Sequence, residues 1–309
     1  MIAPRDMQLD LVSLRYFVTI AAQKSFRKAA TELHISQPAL SRRVQMLEDA
    51  LGVPLLMRHG RGVTPTAAGE ILRKRAEAML RLEAEIQSDV RSTNTRPMGH
   101  LRVAATPSCG QLLIAGIVNR FLKSFPEITW SLTEGFSDEV QRKLLDDSVD
   151  VGLLTQGPDH PDLIYQPLYE EKLCLIYGAK ALPTIAGPVT VEQVCALPIM
   201  TAPVILDLLN RHGARHCQVR VELNGTSQTS ELIAAGGGYF VGQRAQFWEE
   251  IRSGAFRAVD IQNVTVRRCL AIRVDRPLSL AATMLVDEVK RGVQEITAWP
   301  ESPFLPLSG

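Results

Sequence analysis

The chain has 309 residues, 46% of them hydrophobic, 6% aromatic and 22% charged, which allows about two or three domains and suits a water-soluble protein with ordinary apolar cores. No apolar run reaches about 18 residues, so no membrane span is expected. The first residues, MIAPRDMQLD, carry charges and lack the apolar core of an export signal, so a cytoplasmic protein is expected. The net charge of +1 hides an asymmetry: residues 1–100 hold 15 basic against 10 acidic side chains, and the remainder 19 against 23. A basic head on a slightly acidic body suits a polyanionic partner for the head. The five cysteines (Cys109, Cys174, Cys195, Cys217, Cys269) are scattered, odd in number and form no C-x-x-C pair. Buried, reduced thiols are expected.

The first elements lie within residues 1–66. Leu11, Leu14, Phe17, Val18 and Ala21 recur at helical spacing. Ser25 offers an N-cap for a second helix carrying Phe26, Ala29, Ala30 and Leu33. Ala29 and Ala30 are small enough for a close helix crossing. His34 stands in a tight turn, where it tolerates positive φ better than most residues with side chains. Ser36 is the next N-cap, with Pro38 in the first helical turn, where a missing N–H costs nothing. Ala39, Leu40, Val44 and Leu47 form the expected buried stripe of this third helix. Ser36, Gln37, Ser41, Arg42 and Gln45 fall on the opposite face, the chemistry of a recognition helix in a major groove. LGVPLLMRHGRGVTPT then reads as two short extended segments around His59-Gly60-Arg61-Gly62, a wing.

The segment FRKAATELHISQPALSRRVQMLEDALGVPLLMRHGRGVTPTAAGE resembles the DNA-binding domain of the LysR-type transcriptional regulators. The resemblance implies an N-terminal all-α winged helix-turn-helix. It also implies base and phosphate contacts at Ser36, Gln37, Pro38, Ser41 and Arg42, with Arg58 and Arg61 in the wing. Met57 stands where the family usually has Phe, a change that reads as a packing swap.

Residues 67–96 form a long helix with an apolar seam at Leu72, Ala76, Met79, Ile86 and Val90, interrupted by Glu83. The resemblance implies a dimerising linker helix. Pro97 and Gly99 break it. Residues 97–309 alternate strands and helices with near-continuous apolar strands, the pattern of parallel sheets with crossover helices. A second such unit starts near KLCLIYG, and the strand RRCLAIRV with a final helix closes the chain. The resemblance implies a C-terminal α/β two-lobed, periplasmic-binding-protein-like effector domain. Lobe I spans about 101–172 plus 269–309 and lobe II about 173–268. The tract LLTQGPDHPDLIYQPLYEEKLCLIYG further resembles the nitrogen-assimilation-control-like branch of the family.

Parallel sheets bind ligands outside the carboxyl ends of their strands. Thr106, Ser108, Ser137, Thr155, Thr201 and Thr226 cluster at those ends, most of them just before a predicted helix, where N–H groups and the helix dipole favour an anion. A small anionic effector is expected there, although each hydroxyl taken alone could simply cap its own helix. The family branch often has an Arg soon after the Thr201 position, whereas this chain continues TAPVILDLL, which argues against a multiply charged ligand.

Enzyme signatures are missing. Gly236-Gly237-Gly238 follows a predicted helix and reads as a cap and turn. The six histidines show no metal-ligand spacing, and no cofactor or metal is expected. A solute-binding protein would need an export signal and no helix-turn-helix. The alternative that stays open is a redox-switched regulator using Cys109, near a helix N-terminus, or a Cys195/Cys217 pair. The expected function is a ligand-responsive regulator of promoter DNA. The resemblance implies a dimer of dimers that bends DNA and alters access of RNA polymerase.

Overall fold

The computed structural model describes residues 9–60, 62–92, 97–109, 115–179, 185, 187–223 and 228–307. The chain divides into two compact units, residues 1–94 and 95–309.

The first unit contains α1 (Leu11–Gln23), α2 (Phe26–Glu32), α3 (Gln37–Leu51), the antiparallel hairpin β1 (Leu56–His59) and β2 (Gly62–Pro65), and α4 (Ala67–Ser92). Local chemistry sets these boundaries. The Asp10 carboxylate accepts the Ser13 N–H at 2.8 Å. Ser25 Oγ accepts the Lys28 N–H at 3.3 Å, and Ser36 Oγ accepts the Ala39 N–H at 3.4 Å, each satisfying a free donor of a helix start. His34 adopts φ 54° in the turn between α2 and α3. Ala29 and Ala30 are buried where the helices cross, and Leu40, Val44 and Leu47 turn inward from α3. Ala39 does not join that stripe; it sits exposed in the first turn, on the side away from the core. Met57 is 54% exposed and fills no core position, so its exchange for Phe is not a packing swap. Gly69 is required by a close approach: a Cβ there would lie 2.0 Å from the Leu55 carbonyl oxygen.

On α4, Leu72 packs against the first unit's own core and Ala76 is fully buried. Glu83, which interrupts the seam in sequence, accepts from Arg15 of α1 at 2.7 Å. The expected seam is therefore split. Its first two members serve the fold of their own unit, while Met79, Ile86 and Val90 are exposed, together with Leu82.

In the second unit the chain runs β3 (Gly99–Ala105), α5 (Pro107–Cys109), α6 (Ala115–Ser124), β4 (Ile128–Glu134), α7 (Ser137–Leu145) and β5 (Val151–Thr155). The long strand β6 (Leu163–Gly178) leads to α8 (Val191–Cys195), β7 (Ile199–Thr201), α9 (Pro203–Arg211), β8 (Val219–Glu222), α10 (Thr229–Ala234) and β9 (Tyr239–Gln243). A 3-10 turn (Arg244–Phe247), α11 (Trp248–Arg252), the long strand β10 (Phe256–Arg273), α12 (Leu280–Thr297) and β11 (Phe304–Leu305) complete it.

The sheet order is β4-β3-β5-β10-β6-β9-β7-β8, with β11 paired to β6. The two outer triplets, β4-β3-β5 and β9-β7-β8, are parallel, as the apolar strands predict. The centre differs from expectation. β6 and β10 begin well before KLCLIYG and RRCLAIRV, and they pair antiparallel along nearly their whole length. The first half of β6 and the second half of β10 belong to one lobe, and the second half of β6 and the first half of β10 to the other. Leu270 and Ile272 pack in the core with Leu101, Val103 and Phe121, whereas Ile261 and Val264 pack in the core with Leu173, Leu175 and Val241. The polar stretch Glu170-Glu171-Lys172 hides this continuity in sequence, because it falls where β6 passes from one core to the other.

Candidate functional site

The exposed surface of α3 carries the side chains expected to read DNA. Gln37, Pro38 and Arg42 are exposed, Ser41 is half-buried, and Ser36 is exposed while capping the helix. The Gln45 amide donates to Asp49 at 3.0 Å. Arg58, from the wing, donates to Ser41 Oγ at 3.0 Å and lies 4.5 Å over the Phe26 ring. The ring face and the hydroxyl together fix this cation beside α3. Arg61 lies outside the described residues. A helix face that is polar and basic beside a basic wing has the chemistry of a major-groove and phosphate contact surface.

In the second unit, a cleft of about 950 Å³, counted to its open mouth, lies between the lobes at the carboxyl ends of the parallel strands. Four of the six expected hydroxyl residues line it: Thr106, Ser108, Ser137 and Thr155. Thr201 does not line it. Its side chain is buried in β7 and its hydroxyl donates to the Val241 carbonyl of β9 at 3.3 Å. Thr226 lies outside the described residues. Thr106 reaches the cleft wall, but its hydroxyl donates to Cys109 Sγ at 3.3 Å.

The remaining three hydroxyls are held by donors from the protein. Arg268 donates to Ser108 Oγ at 2.6 Å and to Thr155 Oγ1. The Thr155 N–H donates to Ser137 Oγ at 3.2 Å. A hydroxyl has one hydrogen to give, and these three accept from behind. Their own hydrogens are left for the cleft, where they suit an oxyanion. The arrangement does not depend on helix caps: α5 is a single turn, and Ala202, the N-cap of α9, makes no side-chain cap.

Arg268 is a site residue that the strand-end pattern does not mark, because that pattern reads only hydroxyls and helix starts. Its side chain is 3% exposed and its Nε donates to Glu171 Oε2 at 2.7 Å, while Glu171 is 1% exposed. Burial pushes the Glu171 carboxyl up and the Arg268 charge opposes this. A signal existed in the strand period. Val264, Val266, Arg268 and Leu270 alternate along β10 and all are buried, so a charge occupies an inward position. Gln243 and Gln246 were also missed. Both line the cleft, at 6% and 7% exposure.

Cys195 and Cys217 form a disulfide, which corrects the expectation of five reduced thiols. The pair meets because α8 ends beside the chain entering β8, where the Gln218 N–H donates to the Cys195 carbonyl at 3.0 Å. Cys109, Cys174 and Cys269 are free and buried. Burial pushes the Cys174 and Cys269 thiols up to about 12. Cys109 sits under the cleft floor, where it accepts from Tyr169 as well as Thr106, at 3.7 and 3.3 Å.

Residues 11–70 match the family described as bacterial regulatory helix-turn-helix protein, lysR family, and residues 94–294 match the LysR substrate binding domain. The chain is 27% identical to the HTH-type transcriptional regulator BbuR of Bordetella bronchiseptica, over 96% of this chain and 94% of that one. It is 27% identical to the uncharacterised HTH-type transcriptional regulator YeiE of Escherichia coli K12, over 85% of this chain and 90% of that one. Its fold is similar to that of full-length OxyR from Pseudomonas aeruginosa, with TM-score 0.69 and 22% identity over 92% of this chain and 98% of that one. It is also similar to full-length CbnR solved in complex with its target DNA, with TM-score 0.68 and 24% identity over 92% of this chain and all of that one. An N-terminal helix-turn-helix, a C-terminal two-lobed domain and matches across both place the chain in the LysR family of DNA-binding transcriptional regulators.

Proposed function

We propose that this regulator senses a small anionic effector in the interlobe cleft, reads promoter DNA through α3 and the wing, and acts in the cytoplasm as a dimer of dimers that alters access of RNA polymerase. The observation that carries the effector reading is the set of three hydroxyls, Ser108, Ser137 and Thr155, each accepting from the protein and each left with a hydrogen for the cleft. An effector acts by binding one arrangement of the two lobes better than another. The resemblance of residues 153–178 to the nitrogen-assimilation-control-like branch supports assignment to that branch.

On DNA, Arg42 and Gln37 are assigned to base edges and Arg58 to the phosphate backbone. Arg42→Ala is expected to cost roughly 1–3 kcal/mol in specific binding and to relax base preference, whereas Arg58→Ala weakens binding to all sequences alike. Selection of bound genomic fragments followed by binding titrations on the best site checks this. An Arg42→Ala protein that folds and keeps both affinity and preference rules out the docking.

A second reading, a redox-switched regulator, is favoured by the Cys195–Cys217 disulfide. Thiol titration of the unfolded chain is expected to count three thiols after mild peroxide and five after reductant. A DNA affinity that differs between the two forms supports this reading, and an unchanged affinity leaves the disulfide as a structural link.

A further inference from the structure

Among the described residues, three arginines line the interlobe cleft and no acidic side chain does. Two of the three are neutralised by carboxylates that stand behind the lining: Arg267 donates to Glu170 at 3.0 Å and Arg268 to Glu171 at 2.7 Å. The third, Arg211, ends α9 and has no carboxylate partner among the described residues. Its Nε donates to the Asp207 carbonyl at 3.4 Å, which draws the side chain back along the helix, the direction in which helical side chains lean. Val204, Leu208 and Arg211 recur at helical spacing, so they share one face of α9, and all three line the cleft. The lining therefore changes character along its length. At the strand ends of lobe I, Ser108, Ser137 and Thr155 offer hydrogens, with the neutral Arg268–Glu171 pair behind them. Val204, Ile205, Leu208 and Leu223 form an apolar stretch. Arg211 then places an uncompensated cation about two helical turns beyond Val204.

The geometry points to a dicarboxylic acid as the effector, with its two carboxylates held apart by an apolar spacer. This rests on the proposal that the cleft holds the effector. One carboxylate accepts from Ser108, Ser137 and Thr155. That end suits a single negative charge, because the pair behind the hydroxyls is already neutral and a phosphate dianion there would lack a balancing cation. The second carboxylate meets Arg211, whose terminal nitrogens can hold both of its oxygens. No arginine follows closely on Thr201 in the sequence, which speaks against a second charge; the turns of α9 supply one from Arg211 instead. An ammonium group finds no counter-charge, since no acidic side chain lines the cleft among the described residues. The rise of α9 from Val204 to Arg211 is about 10 Å, so the spacer is expected to exceed the two methylenes of succinate and to lie against Val204, Leu208 and Leu223.

The test uses the full chain and matched ligands in calorimetric titration: adipate against hexanoate and suberate against octanoate, with succinate and inorganic phosphate as compact dianions. In at least one pair the dicarboxylate is expected to bind about tenfold tighter or more, because the monoacid sets a methyl group against the Arg211 guanidinium and forgoes its charge-assisted bonds. Added salt should narrow that preference, as an ion pair to an exposed arginine requires. Arg211→Gln should reduce it to about twofold or less and leave monoacid affinity unchanged, while Arg211→Lys, which keeps the charge, should retain more of it than Arg211→Gln does. Arg211 is exposed, so both variants should fold. Ser108→Ala should weaken dicarboxylate and monoacid alike, about tenfold. Equal binding within both pairs, a preference that survives Arg211→Gln, or tightest binding by succinate or phosphate overturns the dicarboxylate assignment, and so does a lack of binding by all of these acids. The cleft reading survives those results if Ser108→Ala still weakens whatever binds, and it falls if Ser108→Ala changes nothing.

Discussion

Arg268→Ala is expected to destabilise the C-terminal unit by about 3–5 kcal/mol, because it strands the Glu171 carboxylate in the interior without its counter-charge. The environment makes this harsh. Glu171 is 1% exposed and its second oxygen, Oε1, has no hydrogen-bond partner. Water cannot readily replace the guanidinium. The pair itself need not be a net source of stability, since removing two charges from water costs about as much as their attraction returns. Exchanging both partners for apolar residues, Arg268→Met with Glu171→Leu, should therefore recover most of the loss. Effector binding should not recover with it. Ser108 and Thr155 would no longer be held from behind by Arg268, and their hydrogens would be free to turn away from the cleft. Denaturant unfolding followed by tryptophan fluorescence is well placed to measure this, because all three tryptophans, Trp130, Trp248 and Trp299, belong to the second unit. A single variant that loses less than about 1 kcal/mol would show that the carboxylate escapes to water or takes up a proton.

That coupling also shows what the sequence makes legible and what it does not. The helix-turn-helix could be read closely because its determinants are local. Ser25 and Ser36 cap helices that begin at the next residue, and His34 sits in its turn by its own backbone preference. Likewise the strand ends bearing Ser108, Ser137 and Thr155 could be placed, because strand and helix periods mark them. The direction in which a hydroxyl points is a different kind of fact. Ser108 and Thr155 are oriented by an arginine 160 and 113 residues away in sequence. Thr201 looked equivalent to them, but it spends its hydroxyl on a carbonyl 40 residues distant. No window of local sequence carries that information. The long reach of β6 and β10 was hidden for a related reason. Their middles hold Glu170, Glu171, Lys172, Arg267 and Arg268, charged residues at which the apolar pattern breaks, so the expected strands KLCLIYG and RRCLAIRV start there and their earlier halves go unmarked.

The helix α4 shows the same limit from its surface. A heptad pattern says which residues share a face, but not whether that face meets its own unit or another chain. Leu72 and Ala76 meet their own unit, and Glu83 is tied to Arg15. Met79, Leu82, Ile86 and Val90 are 47–63% exposed. We expect this shorter stripe to hold the dimer. Met79→Glu with Ile86→Glu should then convert the dimer to monomer at micromolar concentration. Each change acts twice, once in each protomer. At roughly 1.5–3 kcal/mol for each large apolar side chain deprived of burial, the combined loss is on the order of 6 kcal/mol or more, or about ten-thousandfold in the dissociation constant. Charges facing each other across the seam add to this. Both positions are exposed in the single chain, so the fold of the first unit should survive, and circular dichroism checks that. Met79→Leu with Ile86→Leu keeps the stripe apolar and should keep the dimer. Sedimentation velocity decides the outcome. A doubly charged variant that retains the parent's mass would assign the contact between copies to another surface and leave this stripe without a role in assembly.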